Sequence, residues 1–243
     1  MFDQNTLKKN RRKFIANDKF TELISKLFDD HFFLLNNKFF NNILSIGVYG
    51  WESILKNLAM ERLHLIDYHN NSKYPIDITD NLETLQLKNN FFNLIISNFT
   101  IHKIDNLNGH LSNIKESLAN NGCFFGFTLS PKTLYELRTI LIEYEGHDRN
   151  RMYPFIDIDD IVKLLKKNKF IEPVITSNDF KVNFKSILSL FHNIIKLGEG
   201  NATIYRNPKL SISDLCNINK LYQKKYNGIL ATFEIISFIC YKN

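Results

Sequence analysis

With 243 residues, 44% of them hydrophobic, the chain can bury one sizeable core but has no room for two full-sized domains. Its formal charge of +6 invites an anionic partner, although the basic residues are spread along the chain. Cys123, Cys216 and Cys240 are odd in number, far apart and without C-x-x-C spacing, so neither a disulfide framework nor a structural zinc site is implied and a reducing compartment is expected.

In chain order, the densest basic cluster comes first: Lys8, Lys9, Arg11, Arg12 and Lys13. It reads as a solvated helix face, with nucleic acid, an acidic carrier protein or a lipid surface as alternative contacts. Phe20, Leu23, Ile24, Leu27 and Phe28 then recur at helical spacing, with Asp29 and Asp30 on another face, and predict an amphipathic helix leading into the domain. From residue 41 the pattern changes to short apolar strands at 43–47, 63–67, 92–97 and 123–129. They alternate with helices at 52–60 and 107–120, the latter closed by Asn120-Asn121-Gly122. Such alternation predicts an α/β fold, a doubly wound, mostly parallel sheet with helices on both faces. Beyond Pro131 come helices at 133–144 and 157–167, a strand pair within 173–184, a helix through Ile187 to Ile195, a helix at 213–226 and a β-rich run at 230–241. The expected organisation is an N-terminal helical segment (1–40), a Rossmann-like core (41–130) and a C-terminal part completing the sheet and a substrate cap (131–243), all as one domain. No early segment has the order of a signal peptide, and the longest apolar run is too short to span a bilayer, so a cytoplasmic location is expected.

In an open parallel sheet, ligands bind beyond the carboxyl ends of the strands where strand order reverses, which directs attention to the loops after the first two strands. The first reads Ile43-Leu44-Ser45-Ile46-Gly47-Val48-Tyr49-Gly50-Trp51-Glu52: strand, two glycines, helix. Glycine lets the backbone turn sharply and approach a ligand, and the helix start offers free N–H groups; plain structural turns use the same spacing. About twenty residues on, the second strand ends in Asp67-Tyr68, where an acid can accept hydrogen bonds from both hydroxyls of a ribose or simply be solvated. Asp80-Asn81-Leu82 precedes the strand that ends in Ser97-Asn98-Phe99-Thr100-Ile101-His102. The seven histidines have no metal-ligand spacing, and no nucleophile, base and orienting acid can be assembled.

These motifs resemble the class I S-adenosylmethionine-dependent methyltransferases, in the group containing the malonyl-acyl-carrier-protein methyl ester synthase of biotin formation and mitochondrial complex I assembly factor 5. The stretch from Leu85 through Phe92-Asn93-Leu94-Ile95-Ile96-Ser97-Asn98 looks like that group's "L-P-F-x-x-x-x-F-D-L-V-x-S-N". The segments Thr133-Leu134-Tyr135-Glu136-Leu137-Arg138, Gly198-Glu199-Gly200-Asn201-Ala202 and Ala231-Thr232-Phe233-Glu234-Ile235-Ile236 look more like the assembly factor. The resemblance implies S-adenosylmethionine as cofactor. Gly47 and Gly50, with Trp51, would line its methionine portion. Asp67, with Tyr68 beside it, would hold the ribose, Asp80 or Asn81 with Leu82 would lie against adenine, and Ser97 and Asn98 would close the site. His102, Tyr135 and Arg138 are candidate substrate contacts, each with an ordinary packing role as the alternative. The acceptor would be a small acid, a carrier-bound acyl group or a protein. The assembly-factor likeness implies instead hydroxylation of an arginine in a respiratory complex I subunit, and a location peripheral to the inner membrane. Nucleic acid is disfavoured, because Asn98-Phe99-Thr100-Ile101 lacks the Asn-Pro-Pro-aromatic segment that holds a flipped base. The chain departs from the group's "D-x-G-C-G-x-G" loop: Ser45 replaces the acid, and Val48 and Tyr49 stand where small residues are expected. Tyr49 adds a side chain where the backbone should approach the ligand, so a catalytically inactive binding protein is the third alternative.

Overall fold

A parallel strand covered by helices on both sides must be apolar on both faces, and three runs of this sequence are. In β1 (Phe40–Ile46), Ile43, Leu44 and Ile46 are inaccessible to solvent; so are Leu94, Ile95 and Ile96 in β4 (Phe92–Asn98), and Phe124 and Phe127 in β5 (Leu118–Leu129). The computed structural model describes residues 1–14, 26–27, 39–70, 75–79, 81–146, 151–205 and 207–243. These strands form the centre of a seven-stranded sheet completed by β2 (Ala59–Asp67), β3 (Asp77–Ile78), β6 (Ile171–Phe184) and β7 (Ile229–Tyr241), in the order β3-β2-β1-β4-β5-β7-β6. All pairings are parallel except the two made by β7.

Because successive side chains alternate across a strand, the two faces collect separate cores. Ile43, Leu94, Ile96 and Phe127 face Leu55 of α2 (Glu52–Leu58), Leu137 and Ile140 of α4 (Tyr135–Glu145), Leu190 of α6 (Ile187–Lys196) and Ile218 of α7 (Ile212–Tyr226). Leu44, Ile46, Ile95 and Phe124 face Leu111 and Ile114 of α3 (Leu107–Ser117) and Ile161 and Leu165 of α5 (Ile158–Lys167). The first helix, α1 (Gln4–Arg11), is capped by Asp3 and adds Leu7 to this second core. The doubly wound α/β architecture expected from the sequence is the one observed. Among the described residues no helix is long and apolar enough to cross a membrane.

Two boundaries differ from expectation. Helix α3 stops at Ser117, three residues before the predicted Asn120, because its last carbonyls are captured from outside: the Asn90 and Phe91 N–H groups donate to Glu116 O and Ser117 O at 2.9 and 3.0 Å. Asn121 does adopt the left-handed conformation, but inside β5. The strand pair expected after residue 173 is one continuous strand of 14 residues. Its register on β7 slips between Ile171 and Val174, where Pro173 lacks a ladder donor, an irregularity that an edge strand tolerates. Of the helix predicted from Phe20 to Phe28, only Lys26 and Leu27 lie among the described residues, Lys26 exposed and Leu27 packed in the first core.

Candidate functional site

Strand order reverses between β1 and β4, and the residues that leave those two strands converge there. Gly47 directly follows β1 with φ +82°, a conformation L side chains rarely adopt, and a Cβ on it would lie 2.6 Å from Asn98 O. Its N–H donates to Ile66 O at 2.8 Å, tying β1 to β2. Asn98 Nδ2 donates to Gly47 O at 2.8 Å and to Ser45 Oγ at 3.0 Å, so Ser45 helps to lock the switch point. Asn98 Oδ1 is buried and has no hydrogen-bond partner among the described residues. Gly47→Ala combines left-handed strain with a backbone clash and is expected to cost about 2–3 kcal/mol. Urea unfolding measures this, and a loss under about 0.5 kcal/mol, the ordinary effect of a surface change, would remove the steric reading.

The acid at the end of β2 is 2% exposed and fully engaged. Asp67 accepts from Tyr68 N at 2.6 Å and from Val48 N at 2.9 Å. It also accepts from Arg11 Nε, at 2.8 Å to Oδ2 and 3.1 Å to Oδ1. The same guanidinium donates through Nη2 to Val48 O and lies 4.1 Å from the Phe14 ring centroid and 4.4 Å from that of Tyr49. Burial works against the Arg11 charge, but Asp67, Tyr49 and Glu199 together outweigh it and raise its pKa. The basic cluster read as a solvated face is therefore divided. Lys9, Arg12 and Lys13 are exposed, whereas Arg11, one helical turn after Leu7, is buried with it.

Tyr49 turns its ring inward, 4.7 Å from Phe14 and 5.1 Å from Phe99, and stacks on Trp51 at 6.0 Å. Its hydroxyl donates to Glu199 Oε1 at 3.3 Å, linking the glycine loop to a second buried cluster. Lys103 Nζ lies 2.6 Å from Glu199 Oε1, and His102 Nε2 lies 3.2 Å from Oε2. Burial pushes the Glu199 carboxyl up, but the Lys103 ammonium and the His102 hydrogen bond outweigh it and bring its pKa down to about 2. For His102 the balance falls the other way: burial lowers its pKa despite Glu199. The ring is then neutral at pH 7. The network assigns the proton to Nε2, which donates to Glu199, while Nδ1 accepts from Thr128 Oγ1 at 3.0 Å. Glu199 also borders an apolar cavity of about 420 Å³ whose walls include Leu129, Leu137, Phe191, Ile194 and Phe233.

The other predicted residues are distributed as follows. Gly50 (φ +103°) donates its N–H to Glu52 Oε1 at 2.8 Å. Trp51 is buried at the start of α2, and the Tyr68 hydroxyl donates to Gln4 Oε1 at 3.1 Å. Asn81 caps the short helix Leu82–Thr84, accepting from Glu83 N at 2.9 Å, and Leu82 joins the second core. Ser97 Oγ lies 2.6 Å from Thr100 Oγ1. Asp80 lies outside the described residues. On α4, Tyr135 is exposed, and Arg138 donates to Pro131 O at 2.7 Å beside a second cavity, which shares Tyr153 and Arg151 with the first. Neither joins the cluster at the switch point. Arg11, read from the sequence only as part of a solvated basic face, and Lys103 and Glu199 were given no place in the site, and their partners lie 56, 96 and 97 positions away.

No protein-family model matches the sequence. The chain is 32% identical over 155 residues to the mitochondrial arginine-hydroxylase NDUFAF5 of Dictyostelium discoideum, an alignment covering 60% of this chain and 36% of that protein. A Rickettsia prowazekii protein provisionally named a methyltransferase is 30% identical over 188 residues, covering 76% of this chain and 80% of that one. Among solved structures, a SAM-dependent methyltransferase from Archaeoglobus fulgidus shares the fold with a TM-score of 0.52 at 15% identity, over 91% of this chain and 94% of its own. The chain spans 36% and 64% of the lengths of the first two NDUFAF5 relatives it matches.

Proposed function

The chain belongs to the class I methyltransferase family, and from that premise we propose that it binds S-adenosylmethionine at the β1–β4 switch point and methylates an acceptor seated in the adjoining cavity. The observation that carries this reading is the convergence of Gly47, Asp67 and Asn98 on the point where strand order reverses, the position at which open α/β sheets take their ligands. The donor and acceptor set suits the cofactor. Asp67 is an acceptor for vicinal hydroxyls, which the Arg11 guanidinium stands in for here. Asn98 Oδ1 is a buried acceptor for which the described residues supply no donor, and Gly47 keeps the backbone free of a side chain. When bound, the cofactor supplies an electrophilic methyl group, whose transfer needs alignment and a dry pocket more than a strong base. The chain contributes that dryness through the apolar walls of the 420 Å³ cavity.

The acceptor under this reading is a small acid, a carrier-bound acyl group or a protein side chain. Its binding wall carries Glu199, compensated by Lys103, Arg151, paired with Glu145, and Lys209. Titration calorimetry with S-adenosylhomocysteine tests the cofactor assignment: a saturable heat with Kd below about 1 mM is expected. Folded protein giving no heat at that concentration would sink it.

A second reading is hydroxylation of a protein arginine, as on a respiratory complex I subunit. It is supported by the NDUFAF5 relatives and by a carboxylate, Glu199, bordering the cavity. Intact-mass analysis of an acceptor separates the two, one methylene gained against one oxygen.

A further inference from the structure

Helix α1 places one charged side chain inside the site it flanks. Its backbone is pinned elsewhere: Asp3 N donates to Ala202 O at 2.8 Å, Asn10 Nδ2 donates to Gly200 O, and Leu7 is 3% exposed in the second core. Arg11 thus sits on Asp67 at the end of a fixed helix, and any change of partner is a movement of its long side chain. The guanidinium lies against both the Phe14 and the Tyr49 ring, which also touch each other, and aromatic faces attract a cation over a range of positions.

We propose that Arg11 is a cofactor-binding residue that guards Asp67 by partner exchange: a nucleoside ligand carrying a carboxylate gives its hydroxyls to Asp67 and its carboxylate to Arg11. This rests on the cofactor assignment above and adds a residue and a selection rule to it. The physical reason is charge balance. A nucleoside that offered Asp67 only hydroxyls would strand a buried guanidinium without its anion, which is strongly unfavourable. A ligand bringing hydroxyls and a carboxylate together replaces both halves of the ion pair, and the bidentate fork of arginine suits a carboxylate. The site therefore selects nucleosides whose tail bears a carboxylate and discriminates against those that fit the same space without one. It also keeps Asp67 and Arg11 paired and buried while no ligand is present.

The test compares S-adenosylhomocysteine with decarboxylated S-adenosylhomocysteine, which keeps the nucleoside and the amine and lacks only the carboxylate. Trp51, the chain's single tryptophan, stacks on Tyr49 beside the guanidinium, so its emission reports the exchange. Wild-type protein is expected to bind the complete ligand about tenfold or more tightly than the decarboxylated one, with a Trp51 emission change for the first. In Arg11→Ala and Arg11→Gln the preference is expected to collapse toward unity, with the decarboxylated ligand binding at least as well as to wild type because Asp67 has been released. Equal affinity of wild type for the two ligands, or an undiminished preference in folded variants, overturns the exchange while leaving the cofactor assignment standing. If wild type binds neither ligand at millimolar concentration, both readings fall. The wild-type comparison decides the matter alone should the variants not fold.

Discussion

Replacing Asp67 by alanine is expected to lower the unfolding free energy by about 3–5 kcal/mol, the usual cost of removing one partner from a buried ion pair. The side chains of Arg11 and Asp67 are 6% and 3% exposed, so water cannot reach the stranded guanidinium to replace the carboxylate. The Val48 and Tyr68 N–H groups lose their acceptor as well. A double variant in which apolar residues replace both partners, Asp67→Leu with Arg11→Met, should recover much of the loss, since replacing a whole buried pair is often neutral. Chemical unfolding of the two single variants and the double variant gives the coupling between the sites. If Asp67→Ala were destabilised by less than about 1 kcal/mol, within the range of an exposed pair, the ion pair would not be the structural centre described here. The same variant is expected to abolish binding of S-adenosylhomocysteine at concentrations that saturate the wild type.

Glu199 is the second position where one substitution reaches several elements. Glu199→Ala leaves Lys103 Nζ, His102 Nε2 and Tyr49 Oη without their shared acceptor, and a loss of about 3 kcal/mol or more at pH 7 is expected. The pH dependence identifies the cause. In the folded chain the carboxyl titrates at about 2 against 4.5 for the free group, so its contribution is fully present above pH 4.5 and is lost as the pH falls from 4.5 to 2. Two and a half units correspond to about 3 kcal/mol. His102 adds an earlier loss: its folded pKa lies below 6.5, so the unfolded state takes up the proton first as the pH drops through that value. Glu199→Gln keeps the shape and one acceptor oxygen, and should flatten the stability curve below pH 4.5 while leaving the loss that begins below 6.5. An unchanged acid limb in Glu199→Gln would count against this assignment.

The sheet was legible in the sequence because its central strands must be apolar on both faces and its glycine turn must precede a helix. Both requirements leave local patterns at residues 43–52 and 92–98. Asp67 was legible for the same reason, as an acid ending an apolar strand. Its partner was not. Arg11 lies in a run of lysines and arginines whose other members mostly face water, and only the spacing Leu7–Arg11, one turn on a buried face, hinted otherwise. Tyr49 was read as an obstruction to a ligand because a side chain at a glycine position is usually in the way. The structure turns that ring into the core and uses its hydroxyl to reach Glu199, 150 residues distant. No local pattern encodes such a pairing: it exists because the loop after β1 and the segment after α6 meet on the same side of the sheet.

The position of β7 has a consequence for how the chain is made. It follows β6 in sequence but lies between β5 and β6 in space, with both of its edges paired antiparallel. During synthesis, β5 and the 14-residue β6 therefore emerge before the strand that joins them, each with an unpaired row of backbone donors and acceptors facing solvent. Such edges pair readily with other chains. The interval between translation of β6 and release of β7 is thus the stage at which a nascent chain depends most on being kept apart from its neighbours.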